Sequence, residues 1–290
     1  MTRYAYYPGC SLEGTAKEYD VSTRLSCQDM GVELEELEGW TCCGASSGHN
    51  TSYDLALALP ARNLRLAVEQ GYEAVVAPCA MCYARFRHTL HDLRDEQLRA
   101  RINGFLDKPF VGEVQVHSLV DLFSEDPKLA LLRERKTRDL AGLRPVAYYG
   151  CLLVRPPEVL EPDDVEYPTM LDKIVQACGA TLVDWPMKTE CCGGSLAISR
   201  TDIALELTRR LLADAVGRGA NALITACPMC HSNLDTRQAQ INRQYGTAFH
   251  LPILYFTQLV GLAMGRGIKE LYLDRHLTDT RPLLAQVGIE

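Results

Sequence analysis

Ten of the twelve cysteines in this 290-residue chain fall into one pattern that is written twice. "YYPGC", ending at Cys10, returns as "YYGC", ending at Cys151. The "CCG" at Cys42, Cys43 and Gly44 returns at Cys191, Cys192 and Gly193. "APCAMC", with Cys79 and Cys82, returns as "ACPMC", with Cys227 and Cys230. The offsets are 141, 149 and 148 residues, and "HSLVDL" at 117–122 matches "TQLVGL" at 257–262 at offset 140. A repeat of this length constrains the chain to two copies of one structural unit. The expected division is an N-terminal repeat over 1–142, a C-terminal repeat over 143–265, and a tail over 266–290 that could dock a partner. Cys27 and Cys178 fall outside the pattern, each on a helix-like stretch before a glycine, and read as buried apolar fillers.

Within each repeat short apolar runs alternate with longer periodic ones. "RYAYY", "VELEEL" and "EAVVA" read as strands, and "TAKEYDVSTRLSCQDMG" and "LALALPARNLRLAVEQG" as helices, with Pro60 a bend or a start in the second. The second repeat answers with strands "PVAYY", "ATLVDW" and "NALITA" and helices near 168–178 and 201–218. Strands alternating with helices make βαβ units and parallel pairing. The fold class is therefore α/β: two homologous βαβ-rich halves, each with a small parallel sheet, related by pseudo-twofold symmetry. All three cysteine groups of a half then follow strand C-termini, the edge where open parallel sheets take their ligands.

The chain has room for proper cores. Its net charge of −7 gives no basic footprint for nucleic acid or an anionic membrane. "MTRYAYYPGC" has no apolar signal-peptide core, and the longest apolar stretch, "LPILYFTQLVGLAMG", falls short of the ~20 residues that a membrane span needs. A cytoplasmic protein without a transmembrane segment is expected. In a reducing compartment so many cysteines point to metal binding or redox chemistry rather than to structural disulfides.

Three chemistries compete for five thiols. Structural zinc takes four ligands, often as two CxxC pairs, and would leave one cysteine spare in each half. Thioredoxin-type exchange suits a CxxC between strand and helix, but leaves the CC pair and the first cysteine without a role. A cubane 4Fe-4S cluster also takes four cysteines. Adjacent thiolates would more naturally serve two irons, and a distorted, enlarged cluster could use a bridging one.

The doubled C…CCG…CxxC pattern resembles the cysteine-rich CCG domain family. "YYPGCSLEGTAKEYD", "TCCGAS" and "YFTQLVGLAMG" are similar to the B-type subunit of heterodisulfide reductases. The resemblance runs from Cys10 to about residue 265 and implies two noncubane 4Fe-4S clusters. One would be held by Cys10, Cys42, Cys43, Cys79 and Cys82, the other by Cys151, Cys191, Cys192, Cys227 and Cys230. It further implies a catalytic subunit that splits a disulfide between the clusters, the coenzyme M–coenzyme B heterodisulfide or another small thiol disulfide. The alternative is an electron-relay subunit of a lactate or glycolate oxidase, or of a thiol:fumarate or succinate reductase complex.

The chain lacks a ferredoxin-type cysteine run and a GxGxxG fingerprint, so no flavin or nicotinamide is expected on it. The resemblance implies electrons from a ferredoxin-like C-type subunit, fed in turn by a flavin-containing A-type subunit. His49, His231, Arg85 and Arg87 lie near the cysteines and could serve a leaving thiolate or an acidic substrate group, but read first as loop caps (the histidines) and solvated surface charges (the arginines). Trp40 and Trp185 are off the repeat register and read as core or rim.

Overall fold

The parallel pairing anticipated from the alternating pattern is present, but in strands of only three or four residues. The computed structural model describes residues 3–289. Strands β1 (Arg3–Tyr6), β2 (Glu33–Glu36), β3 (Ala74–Ala77) and β4 (Gln115–Ser118) form one parallel sheet in the order β2-β1-β3-β4. Strands β5 (Pro145–Tyr148), β6 (Ala222–Thr225) and β7 (Ile253–Tyr255) form a second in the order β5-β6-β7. β3, β5, β6 and β7 are buried along their whole lengths, as sheets covered by helices on both faces require.

The expected strand at "ATLVDW" is the one element that does not form, for a visible reason. Thr181 N–H donates to Leu143 O at 2.9 Å and Val183 N–H to Pro145 O at 2.8 Å, which begins a parallel ladder beside β5. At the next rung the Trp185 indole Nε1 donates to Ala147 O at 2.9 Å. A side chain has taken the acceptor, and the ladder stops. Pro60 lies inside the helix Tyr53–Glu69 and is not its start, which is capped by Ser52 accepting from Leu55 N–H at 3.1 Å.

The halves exchange helices reciprocally. The helix Phe256–Ala263, after β7, packs on the helix Lys17–Asp29 of the first half. The helix Leu119–Ser124, after β4, packs on Met170–Ala177 of the second. The same pair of elements meets twice, as a twofold axis between the halves would arrange. Ser22 and Thr257 hydroxyls lie 2.7 Å apart in the first of these contacts, and Ser26 Oγ donates to Thr257 O at 2.7 Å.

Register and capping correct one detail of the repeat. Ala77 lies opposite Ser118, and Thr225 opposite Tyr255. Ser118 starts a capping box closed by Asp121, and at the start of the corresponding helix Gln258 Oε1 accepts from Tyr255 N–H at 3.0 Å. Ser118 thus corresponds to Tyr255, about one helical turn away from the match of "HSLVDL" with "TQLVGL".

Residues 266–289 fold back on the protein. Leu271, Leu273 and Leu284 are buried, the Arg266 guanidinium holds the Asp29 carboxylate through contacts of 2.7 and 2.8 Å, and Asp235 accepts from Leu277 and Thr278 N–H. Among the described residues no helix is long and apolar enough to cross a membrane.

Candidate metal centre

Every matched cysteine follows the C-terminal end of a strand or of the extended segment beside β5, so each sheet delivers its own set to its C-terminal edge. The local geometry repeats closely. The Tyr7 hydroxyl donates to Thr41 O at 2.7 Å, tying the turn before Cys10 to the residue before Cys42. Tyr148 does the same to Glu190 O, also at 2.7 Å, ahead of Cys191. Gly44 N–H points at Cys42 Sγ at 3.4 Å, and Gly193 N–H at Cys191 Sγ at 3.3 Å. Gly9 and Gly150 have φ of +69° and +67°, and a Cβ on either would stand 3.2 Å from the Sγ of Cys82 or Cys230. These turns admit glycine because the chain must fold left-handed beside a sulfur.

The sulfurs are connected. Cys43 and Cys82 lie 3.2 Å apart, and Cys192 and Cys230 3.5 Å apart. Cys42 with Cys43, Cys151 with Cys191, and the two thiols of each CxxC pair lie close enough to shift one another's hold on a proton. Between the halves the Tyr19 hydroxyl lies 3.1 Å from Pro78 O and 3.0 Å from Ala226 O, so the two sets approach at Cys79 and Cys227, the next residues. Cys10 adds its charge to the Cys42 environment.

Cys79 and Cys227 are also the N-caps of the helices Ala80–Asp92 and Pro228–Thr236, neither of which has a side-chain cap bond. Free N–H groups and the positive ends of both helices therefore face the junction, which favours thiolate there. The thiols respond. Hydrogen bonding to Cys42 and Cys82 holds Cys43 well below the ordinary thiol range, and Cys151 holds Cys191 down to about 6. Cys227 is depressed by Cys230 and Cys79, while hydrogen bonding to Cys43 and Cys79 raises Cys82. Cys42, Cys79, Cys151 and Cys230 are raised in turn by neighbouring thiols and by burial, so only some of the sulfurs favour the thiolate.

Buried thiols are weak donors and weak acceptors, so this packing gains little from its own hydrogen bonds. An all-sulfur donor set, five to a half, matches the soft-ligand chemistry of an iron–sulfur centre. All five cysteines of the second set line one cavity of about 50 Å3, together with Met229, Tyr149 and Leu152, and Met81 of the first half. Among the described residues no three His, Cys, Asp or Glu side chains are gathered as a single ion's ligands would be, so the fit rests on the donor set.

The other residues singled out from the sequence sort plainly. Cys27 and Cys178 are buried away from these sets, and burial pushes the Cys27 thiol up to about 12. His231 is buried with Nε2 3.0 Å from Ile253 O and its ring stacked on Tyr255, while His49 is exposed on the short helix Ser47–Thr51. Arg87 pairs with Glu161 at 2.6 Å across the halves, and Arg85 adds a positive charge near Cys43. Trp185 is core and Trp40 rim. Sequence reasoning missed Tyr149, Asp172 and Lys188, a buried cluster behind Cys151.

A family model for the cysteine-rich domain, CCG, matches residues 4–87 and 146–235. The chain is 31% identical over 283 residues to the 8-methylmenaquinol:fumarate reductase membrane anchor subunit of Wolinella succinogenes, covering 97% of this chain and 98% of that one. It is 28% identical over 295 residues to the B-type subunit of the ferredoxin:CoB-CoM heterodisulfide reductase of Methanosarcina mazei, covering 99% and 97%. A crystal structure of a hypothetical protein from Helicobacter pylori shares the fold with a TM-score of 0.76 at 16% identity, over 96% of this chain and 52% of that one. The chain therefore spans about half of that longer protein.

Proposed function

Because this chain belongs to the cysteine-rich CCG domain family, we propose that it is the disulfide-reducing subunit of a heterodisulfide reductase-like complex. Its relatives are subunits of reductases, one of heterodisulfide and one of fumarate. The observation that carries the reading is the approach of the two five-cysteine sets at Cys79 and Cys227, where the Tyr19 hydroxyl bridges Pro78 O and Ala226 O beside a cavity to which both halves contribute.

Cys10, Cys42, Cys43, Cys79 and Cys82 would hold one noncubane 4Fe-4S cluster, and Cys151, Cys191, Cys192, Cys227 and Cys230 the other. When bound, such clusters deliver electrons singly and stabilise developing thiolates as Lewis acids. The net reaction takes one disulfide, two electrons and two protons to two thiols. The chain's contribution is geometric and electrostatic. Two adjacent sites make two single electrons available together. The apolar walls from Met81, Met229 and Leu152 exclude water, and the helix ends at Cys79 and Cys227 favour the negative charge that reduction adds.

The electrons would come from a ferredoxin-like partner of the C type, supplied in turn by a flavin-containing partner of the A type, since the sequence carries no nucleotide fingerprint of its own. A cytoplasmic site of action suits such partners.

A second reading is favoured by the fumarate reductase relative: an electron-relay subunit that passes electrons to another chain. Anaerobic assay of the isolated, reduced protein with small disulfides separates the two. Release of two thiols per disulfide supports the proposal. A reduced protein that transfers electrons but leaves every disulfide in a panel intact supports the relay.

A further inference from the structure

Behind the turn that carries Cys151 lies a buried ion pair that the reaction does not require. Lys188 Nζ and Asp172 Oδ1 are 2.5 Å apart, with side chains only 6% and 9% exposed. Asp172 Oδ2 accepts from the Tyr149 hydroxyl at 2.5 Å. That hydroxyl accepts in turn from the N–H groups of Leu171 and Asp172, at 2.8 and 3.2 Å. Lys188 also donates to Pro168 O at 3.3 Å. Its own carbonyl accepts from Tyr149 N–H and Gly150 N–H at 2.9 and 3.1 Å, so Lys188 holds the Cys151 turn by main chain and side chain together.

Two features argue for more than packing. Burying both charges is costly, and apolar residues of similar volume commonly serve stability equally well. The network also differs from its nearest analogue in the first repeat, where Tyr6 donates to Asp20 at 2.7 Å but the cation, Arg24, is 41% exposed and shared with Glu36. By the register of the cysteine motifs, Pro8 and Gly39 stand in the first repeat where Tyr149 and Lys188 stand in the second. The Tyr149 ring lines the cavity with Cys151 and Cys191, which leaves the charged pair separated from that cavity by a tyrosine in a low-dielectric setting.

We propose that the Lys188–Asp172 pair is a positioning and electrostatic device that sets the reduction potential of the second repeat's iron–sulfur centre apart from that of the first. The proposal rests on the reading that each repeat holds such a centre. The pair is nearly neutral as a whole, so it holds the Cys151 turn without imposing a net charge. Loss of one member leaves the other's charge behind the site. Lys188→Met leaves a carboxylate, which disfavours an added electron. Asp172→Asn leaves an ammonium, which favours one.

The test is a potentiometric titration of the iron-loaded protein, followed by its electron paramagnetic resonance and visible spectra. The expected result is a shift of one of the two centres only, to lower potential in Lys188→Met and to higher potential in Asp172→Asn. In the double variant the signal returns toward wild type. Thermal unfolding of each variant supplies the control. Potentials that stay fixed, or move in the same direction in both single variants while stability falls, would overturn the proposal and leave the pair a structural tie. A wild-type protein that takes up no iron sinks the underlying reading and this proposal with it, an outcome distinct from unshifted potentials.

Discussion

Tyr19 of the first half lies flat on Tyr255 of the second, ring centroids 4.1 Å apart and 3° from parallel. The Tyr19 hydroxyl bridges the halves at the cysteines, 3.1 Å from Pro78 O and 3.0 Å from Ala226 O, the residues just before Cys79 and Cys227. One side chain thus fixes the spacing of the two CxxC turns. Tyr19→Phe keeps the stack and removes the bridge, and two buried carbonyls lose a donor. The expected cost is about 1–3 kcal/mol in denaturant unfolding, with the two proposed metal centres responding together because the junction belongs to both.

The unmatched Cys27 gives a pH signature. Its thiol is pushed up to about 12 by burial, above the 9.0 of an ordinary thiol. Between those values the unfolded chain has lost the proton and the folded chain keeps it. Stability from this group is therefore full below about pH 9 and is lost as pH rises through about 12, by up to ~1.4 kcal/mol per pH unit. Cys27→Ala should bind as much iron as wild type, and its unfolding free energy should fall less steeply in that window. Equal slopes for the two proteins would contradict the assignment.

Gly150→Ala puts a Cβ 3.2 Å from Cys230 Sγ at φ +67°, whereas Gly217→Ala meets nothing within 4 Å. The first substitution should cost the second centre its iron while leaving the first loaded, which metal analysis would read as loss of about half the iron. Gly217→Ala should keep the full complement and gain a few tenths to ~1 kcal/mol of helix stability.

The C-terminal segment is tested by truncating one leucine. Leu271 is fully buried, with its side chain packed where a Cβ on Gly261 would fall. Leu271→Ala should cost about 2–5 kcal/mol in unfolding free energy, and Leu277→Ala, at a side chain 72% exposed, close to nothing. Equal small effects would mean that residues 266–289 do not share the core.

The sequence was most legible where chemistry recurs. Doubled cysteine motifs announced two units, and the strands before Cys10, Cys79, Cys151 and Cys227 follow from apolar runs that end at a cysteine or glycine. The failures have physical causes. "ATLVDW" has strand composition, but nothing in its pattern reveals that the Trp185 indole takes the Ala147 carbonyl and ends the ladder. "HSLVDL" and "TQLVGL" match in letters, while strand register and the caps at Ser118 and Tyr255 fix a different alignment. Lys188 and Asp172 are ordinary surface letters until the fold buries them together. Reciprocal helix exchange is likewise a tertiary fact, carried by contacts such as Ser22 with Thr257 that no local pattern encodes.

The central claim is that each five-cysteine set holds an iron–sulfur cluster. The most direct measurement is iron, acid-labile sulfide and zinc per chain in protein purified without oxygen. Two clusters predict about eight irons and roughly eight sulfides, with no stoichiometric zinc. Zinc alone, persisting through anaerobic purification and attempted reconstitution, would contradict the claim and make the cysteine sets a structural scaffold.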